Sequence, residues 1–384
     1  MSAPKSLRQT IFESAVEASE AVSAVATARM PFALTIQSPG NCLLAALRAG
    51  LTAFTPTLGL LELPSVRLSS SLDGVCIIAP GARECATVLH AMHPTTLMPS
   101  GTDLHDWRIG LMADQSEDTD AVAEIFRGLG ASIETNYWPF STAILHNIER
   151  VIYATECLAI HQHVLASHPE NFDTAFLRRT LPACLFQASE YISAQRERRR
   201  FIAAMQPLHR RFDVLVTIGF PQYLVRNSPA SYWSRAAQSA AAPNPFGGPI
   251  VAMRSDLNAH GLPLGIQVLG RPFDEQAVLK VAQAYQLATR NETAPARYES
   301  SAPARAVAEP GELPDARLCS IVDALAERAG LCLTESLRTL LYAEAPLALA
   351  CAAAIPRDHT WWEAPAPVFR ANAPKSHWDS LPLT

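Results

Sequence analysis

The sequence predicts an α/β protein, in which helices flank a sheet of buried strands, and two stretches of the chain carry this prediction. In the first, residues 264–269 are an apolar run of strand length. The run stops before Pro272, because proline cannot donate to a sheet ladder. A helix follows, with Asp274 as its N-cap and apolar residues at helical spacing behind it. A buried strand followed by an amphipathic helix is one unit of an α/β sheet.

The second stretch predicts a strand, a helix and a further strand in succession. Residues 107–112 are apolar and of strand length, and Ile133 begins another such run. Between them lies a helical stripe, closed by Gly130 as a C-cap. The stripe consists of Val122, Ile125, Phe126 and Leu129. Residues 147–211 are mostly helical in pattern, and residues 212–216 form the next buried strand. The basic run at 196–200 is typical of a solvated helix face.

Composition limits the classes of function. The 384 residues are 49% hydrophobic and 17% charged, which predicts a globular protein with a large core. A formal charge of −5 without a long basic block predicts neither a nucleic-acid partner nor an anionic membrane. No apolar run has the roughly 20 residues of a membrane span. Glutamates interrupt the N-terminal region, so no signal peptide is predicted.

The cysteines and histidines predict no metal or cofactor. The eight cysteines include no Cys-x-x-Cys pair and most have apolar neighbours, so they are predicted to be buried thiols of a cytoplasmic protein. His161 and His163 lie near Glu156, but two-residue spacing on a helix points the two rings apart. No phosphate-binding glycine loop occurs.

Two blocks of the chain resemble the amidase signature family. Residues 261–275, GLPLGIQVLGRPFDE, resemble its carboxy-terminal block. Residues 31–73 resemble its core: a Pro-x-x-Leu strand, then Thr55-Pro56-Thr57 where the family has Lys-Pro-Thr, then an intact Ser71-Leu72-Asp73. The resemblance implies a mixed, twisted sheet flanked by helices. It also implies amide-bond chemistry by a Lys-Ser-Ser constellation. The branch most similar to this chain contains the carboxybiuret and allophanate hydrolases.

The catalytic positions implied by the resemblance are all altered. The attacking serine falls on Asn41, and an amide has no hydroxyl to activate. The bridging serine falls on Glu17. Pro39 has no N–H, so it removes a backbone donor from the position of the oxyanion hole. The family's lysine lies on a segment upstream of these positions, and we expect that the N-terminal part of the family fold is missing here.

Two other roles remain open beside this comparison. Asn41 is well suited to cap the helix predicted at residues 43–47. Cys42 is a candidate substitute nucleophile, because a helix N-terminus lowers a thiol pKa, although the sequence places no base beside it.

The C-terminal part resembles a small accessory subunit. We predict an incomplete amidase-signature domain at 1–293, a Pro- and Ala-rich linker at 294–314, a helical module at 315–370 and a tail at 371–384. The module has helices near 318–325 and 334–341, with a third possible at 346–355, and then an extended aromatic tail. These helices and the text of residues 365–370 resemble the accessory subunit of carboxybiuret hydrolase, which is itself similar to the C subunit of the tRNA-dependent amidotransferases.

Three hypotheses about function follow. The first is a pseudoenzyme that acts by binding a partner or a ligand. The alternative is an active amidohydrolase that uses a relocated nucleophile or a site completed by another chain. The third is a decayed gene or a misplaced start codon. Without the N-terminal layer, apolar surface on the sheet is expected to be exposed. The predicted partner is therefore a second copy or an intact amidase-family subunit.

Overall fold

The computed structural model describes residues 14–37, 41–61, 68–96, 98–99, 101–112, 117–219, 233, 247–257, 263–289 and 315–359. At its centre lies a mixed sheet of eight strands. They are β1 (Ala33–Gln37), β2 (Thr52–Thr55), β3 (Gly74–Ala79), β4 (Arg108–Met112), β5 (Ser132–Asn136), β6 (Val214–Gly219), β7 (Ile250–Leu257) and β8 (Pro263–Leu269). Their order across the sheet is β1-β3-β2-β7-β8-β6-β4-β5.

Ten α-helices accompany these strands in the described ranges. They are α1 (Ser14–Ala26), α2 (Asn41–Arg48), α3 (Ala82–Met92), α4 (Glu117–Gly128), α5 (Thr142–Ser167), α6 (Thr174–Thr180), α7 (Ala188–Arg211), α8 (Glu275–Thr289), α9 (Ala316–Arg328) and α10 (Glu335–Ala353). Two short 3-10 turns lie at Pro169–Asn171 and Leu181–Leu185. The predicted α/β class and its mixed sheet are confirmed.

The sheet combines a parallel part with a longer antiparallel part. Strand β4 runs parallel to β5 and β6, whereas β6, β8, β7, β2, β3 and β1 pair antiparallel in turn. Both predicted units are present, since β8 precedes α8 and β4 is followed by α4 and β5. Strands of near-continuous apolar sequence suit the centre of such a sheet, because both faces are covered.

The two faces of the sheet pack against different helices. Alternate residues of β7 enter separate core clusters, with Ile250 on one side and Val251 on the other. Helices α3, α4 and α8 cover the Val251 side, where the rings of Phe126 and Tyr285 lie 5.1 Å apart. Helices α1, α2, α5 and α7 cover the opposite side. The result is a three-layer arrangement with two hydrophobic cores.

The predicted helix ends agree with the structure. Helix α8 begins at Glu275, directly after Asp274. The Thr334 hydroxyl accepts a hydrogen bond from the Leu337 N–H at 3.4 Å and caps α10. Gly130 and Gly330 follow α4 and α9 with φ of +92° and +72°. Glycine adopts this left-handed conformation without the steric cost of a Cβ.

Two predictions about helices were wrong. No separate helix begins at Pro346, because α10 continues through it to Ala353. Buried residues on both sides of Pro346, among them Ala345 and Ala348, hold the helix against the core and outweigh the lost backbone hydrogen bond. The basic run at 196–200 is not wholly solvated either. Arg198 is only 2% exposed, because it points inward from α7 toward Ser71.

Helices α9 and α10 share one hydrophobic core with α5 and with the turn at Leu181–Leu185. Polar contacts reinforce this packing. Arg178 lies 3.6 Å from the buried carboxylate of Glu344, and the Gln162 side-chain amide donates to the Ala329 carbonyl at 2.7 Å. The predicted linker at 294–314 and the tail from residue 360 onward lie outside the described residues, so the predicted domain boundaries stay predictions.

Among the helices that the structure describes, none has both the length and the apolar character that a membrane span requires.

The buried imidazole of His209 makes stability depend on pH. Burial, followed by the nearby charge of Arg271, lowers the pKa of His209 from 6.5 to about 4. Between these values the unfolded chain binds more protons than the folded chain does. The stability is therefore complete above about pH 6.5 and is lost as the pH falls toward 4.

We therefore expect His209→Gln to reduce the loss of stability between pH 7 and pH 5 by up to about 2 kcal/mol. Urea unfolding at both pH values measures this difference. His163→Gln is the control, because His163 is exposed on α5. Equal pH dependence in the wild type and His209→Gln would contradict the assignment.

Candidate functional site

The positions that the family comparison assigns to catalysis lie where β1 meets α1 and α2. Strand β1 ends at Gln37 and α2 begins at Asn41. Pro39 lies outside the described residues. Glu17 lies within α1, which packs against both β1 and α2. The fold thus brings the elements that carry Glu17 and Asn41 together, as the resemblance implies.

Cys42 follows Asn41 but is turned into the core. It is 1% exposed, and its Sγ donates to the Ile36 carbonyl at 3.3 Å. A hydrogen bond with Cys42, together with burial, raises the pKa of Cys76 on β3 well above its usual value. This packing favours a structural role for Cys42. Its suggested use as a nucleophile stays a prediction.

Gln37 is the buried polar residue at this end of β1. Its Oε1 atom has no hydrogen-bond partner in the part of the chain that the structure describes. A buried polar atom without a partner is uncommon and indicates a place where a water or a ligand group binds. Sequence reasoning missed this residue, since one glutamine at a strand end carries no motif.

The segment that replaces Lys-Pro-Thr is attached to the start of α8. The backbone N–H of Thr57 donates to Glu275 Oε1 at 3.0 Å, and the Thr57 hydroxyl donates to the same oxygen. The Phe273 N–H in turn donates to the Thr57 hydroxyl at 2.7 Å. Glu275 is buried, so this carboxylate joins two blocks of the family pattern that lie far apart in the sequence.

The intact Ser-Leu-Asp block is held by its own aspartate. Asp73 Oδ2 accepts the backbone N–H groups of Leu68 and Ser69 at 2.6 and 2.8 Å. Such bonds to a carboxylate are charge-assisted and stronger than neutral ones. They fix the turn that carries Ser69 and Ser71.

Glu156 on α5 is the centre of a buried polar cluster around this turn. One carboxylate oxygen accepts the Ser69 hydroxyl and, at 2.9 Å, the Ser71 N–H. The other accepts the Ser71 hydroxyl at 2.6 Å, the Tyr191 hydroxyl at 2.9 Å and the Gln195 amide at 3.4 Å. With five donors around it, this carboxylate is fully hydrogen-bonded.

Arg198 completes the cluster from α7. Its two terminal nitrogens donate to the hydroxyl and the carbonyl of Ser71, at 3.1 and 3.0 Å. Burial lowers the pKa of Arg198 to about 10, and the charge of Glu156 opposes this shift. Burial and the same carboxylate raise the pKa of Tyr191 to about 12. Arg198 therefore stays cationic at neutral pH, and Ser71 bridges it to Glu156.

The sequence did not predict this cluster. Glu156 was considered only beside His161 and His163. His161 is instead buried against Phe172 and Phe176, and His163 is exposed. No group of residues suited to hold a metal ion occurs among the described residues. The intact Ser-Leu-Asp motif was the available signal, but it does not reveal partners on two distant helices.

No protein-family model matches the chain. The glutamyl-tRNA(Gln) amidotransferase of Dehalococcoides mccartyi has an A subunit that is 23% identical, over 69% of this chain and 65% of its own length. AtzE, a 1-carboxybiuret hydrolase component of a Pseudomonas species, is also 23% identical, over 69% of this chain and 64% of its own length. A solved bacterial aryl acylamidase of the amidase signature family superposes with a TM-score of 0.56 and 18% identity, over 71% of this chain and 65% of its own.

The chain belongs to the amidase signature family. The predicted family is thereby confirmed, and with it the sheet order described above. This amidase-signature chain nevertheless spans only about two thirds of the length of each of these relatives. The comparisons do not extend to the C-terminal helices, so their likeness to an accessory subunit stays a prediction.

We expect Glu156→Ala to lower the free energy of unfolding by about 3–5 kcal/mol, because it leaves Arg198 and several buried donors without their acceptor. Glu156→Gln keeps the shape and one acceptor oxygen, so its loss should be smaller. Urea unfolding midpoints measure both changes. The control Ser70→Ala lies on the same turn but is exposed, and its effect should stay within about 0.5 kcal/mol. Equal midpoints for Glu156→Ala and Ser70→Ala would contradict a structural role of the cluster.

Proposed function

We propose that this chain is a catalytically inactive member of the amidase signature family and acts by binding. One observation carries the proposal: α2 begins with Asn41 where the family comparison places the attacking serine. A carboxamide has no hydroxyl to deprotonate, and it cannot form the acyl intermediate that a serine forms.

The neighbouring hydroxyl and thiol groups do not supply a replacement. The hydroxyls of Ser69 and Ser71 donate to Glu156, whose carboxylate also accepts from other donors. In addition, the Ser71 hydroxyl accepts from Arg198. A general base needs free capacity to take a proton, and a fully bonded carboxylate beside a guanidinium lacks it. The Cys42 thiol is enclosed in the core.

We expect the purified chain to hydrolyse a simple amide, biuret or allophanate no faster than the buffer background. Ammonia release measures this rate. Acylating probes directed at serine or cysteine should label no residue covalently, as read by mass spectrometry of the intact protein. Asn41→Ala serves as the matched variant and should behave like the wild type. Hydrolysis well above background that disappears in Asn41→Ala would end the proposal.

The binding surface that we propose is the open edge of the sheet at β1. This strand pairs with β3 on one side and with no other strand among the described residues. It contains no charged residue, and Leu34 on it is 46% exposed. Met30 and Phe32, just before it, are exposed as well. Soluble proteins usually protect an edge strand with charges, prolines or a covering element.

We propose that a second copy of the chain occupies this edge. Two uncharged β1 strands can pair antiparallel about a two-fold axis, which places the same residues on both sides of the interface. The internal arrangement of α9 and α10 supports this choice over a separate accessory protein. These helices already cover α5 within the same chain, at the position of the Arg178–Glu344 contact.

Multi-angle light scattering should therefore give twice the mass of one chain at micromolar concentration. Leu34→Lys should shift the protein to a monomer, because it places a charge at the centre of the proposed interface. Ile160→Lys is the matched control, since Ile160 is 43% exposed on α5, away from β1. A monomeric wild type, or a dimer that survives Leu34→Lys, would refute this mode of association.

A further inference from the structure

A cavity lies at the opposite side of the sheet from β1, where β4 and β6 begin and β8 ends. Its volume is about 410 Å³, and its walls include Trp107, Arg271 and Lys280. Cavities that hold small organic ligands usually start near this size, at about 300 Å³. None of the positions that the family comparison assigns to catalysis lines it.

Arg271 enters the cavity with its charge only partly compensated. Its Nη2 atom donates to the Phe212 carbonyl at 3.3 Å and lies 3.9 Å from Asp213. That aspartate is already engaged by Arg108, whose backbone N–H and Nη2 both donate to it at 2.9 Å. A carboxylate bound in this way contributes little more to a second guanidinium at nearly 4 Å, so Arg271 keeps capacity for a further anion.

Lys280 supplies a second cation from the second turn of α8. Its Nζ atom lies 5.1 Å from the ring centroid of Trp107, within the range of a cation–π contact. No ion pair to Lys280 occurs in the described part of the chain. The ring holds the ammonium at the cavity wall and also provides a flat apolar surface next to it.

The remaining charges of the cavity limit the anion that fits. Asp106, Asp213 and Asp274 also line it. A compact dianion such as phosphate would face these carboxylates and be repelled, whereas a single carboxylate can contact Arg271 and Lys280 alone. We propose that this cavity binds a small organic monocarboxylate whose flat apolar part rests against Trp107.

This inference is independent of the proposed loss of catalysis, because it uses none of the residues around Asn41. The probe that represents the proposed class is benzoate. Benzamide has the same ring without the charge, acetate has the charge without the ring, and inorganic phosphate is the compact dianion. Isothermal titration calorimetry with the full chain at neutral pH measures each dissociation constant.

We expect benzoate to bind about tenfold more tightly than benzamide or acetate, and phosphate to be the weakest of the four. Lys280→Met removes the charge but keeps an unbranched side chain on Trp107, and it should weaken benzoate binding about tenfold. Arg271→Gln should act in the same direction, and Arg271→Lys should restore part of the affinity. Arg83→Gln on α3 is the control, because Arg83 is exposed and lies outside the cavity.

Three results would overturn the proposal. They are benzamide binding as tightly as benzoate, phosphate binding more tightly than benzoate, or benzoate affinity that is unchanged in Lys280→Met. The last result decides even if Arg271→Gln fails to fold, since Lys280 is a partly exposed helix residue whose replacement leaves the core intact.

Discussion

The buried carboxylate of Glu156 is the interaction on which the arrangement of this molecule depends most. It joins α5 to the Ser-Leu-Asp turn and, through Tyr191 and Gln195, to α7. Arg198 closes the cluster on the far side of Ser71. A buried charge is favourable only when its hydrogen bonds are complete, so the turn and both helices have one mutually consistent position. The sheet face that carries Ala53 and Cys76 is covered as a consequence.

This cluster explains how the fold and the chemistry of the family can separate. The groups that position the elements, namely Asp73, Glu156 and Glu275, are present and bonded. The position assigned to the attacking group holds Asn41. Structural carboxylates act through the whole free energy of folding, whereas a nucleophile contributes only to the transition state of one reaction. Replacement of the nucleophile therefore leaves the scaffold unaffected.

The local part of this structure was accessible from the sequence. Apolar spacing and the signals at Asp274, Gly130 and Thr334 predicted the main strands and helices near their observed bounds. Arg198 was misplaced, because a run of arginines looks the same whether one of them points inward or none does. Pro346 was misread for a similar reason. Helix interruption is a local tendency, and the packing of α10 on α5 outweighs it. Gln37 and the cavity beside Trp107 depend on contacts between distant segments, which a single sequence does not encode as a pattern.

The core shared by α5 and α10 bears on how this polypeptide relates to two-chain assemblies. The apolar contacts and the Arg178–Glu344 pair do not depend on a covalent link between residues 289 and 315. Two separate gene products carrying these halves would make the same contacts. The link only raises the effective concentration of one half near the other, to the millimolar range for a short flexible connection. Gene fusion or gene fission at this point would thus change the dose at which the halves meet, and the contacts would remain as they are.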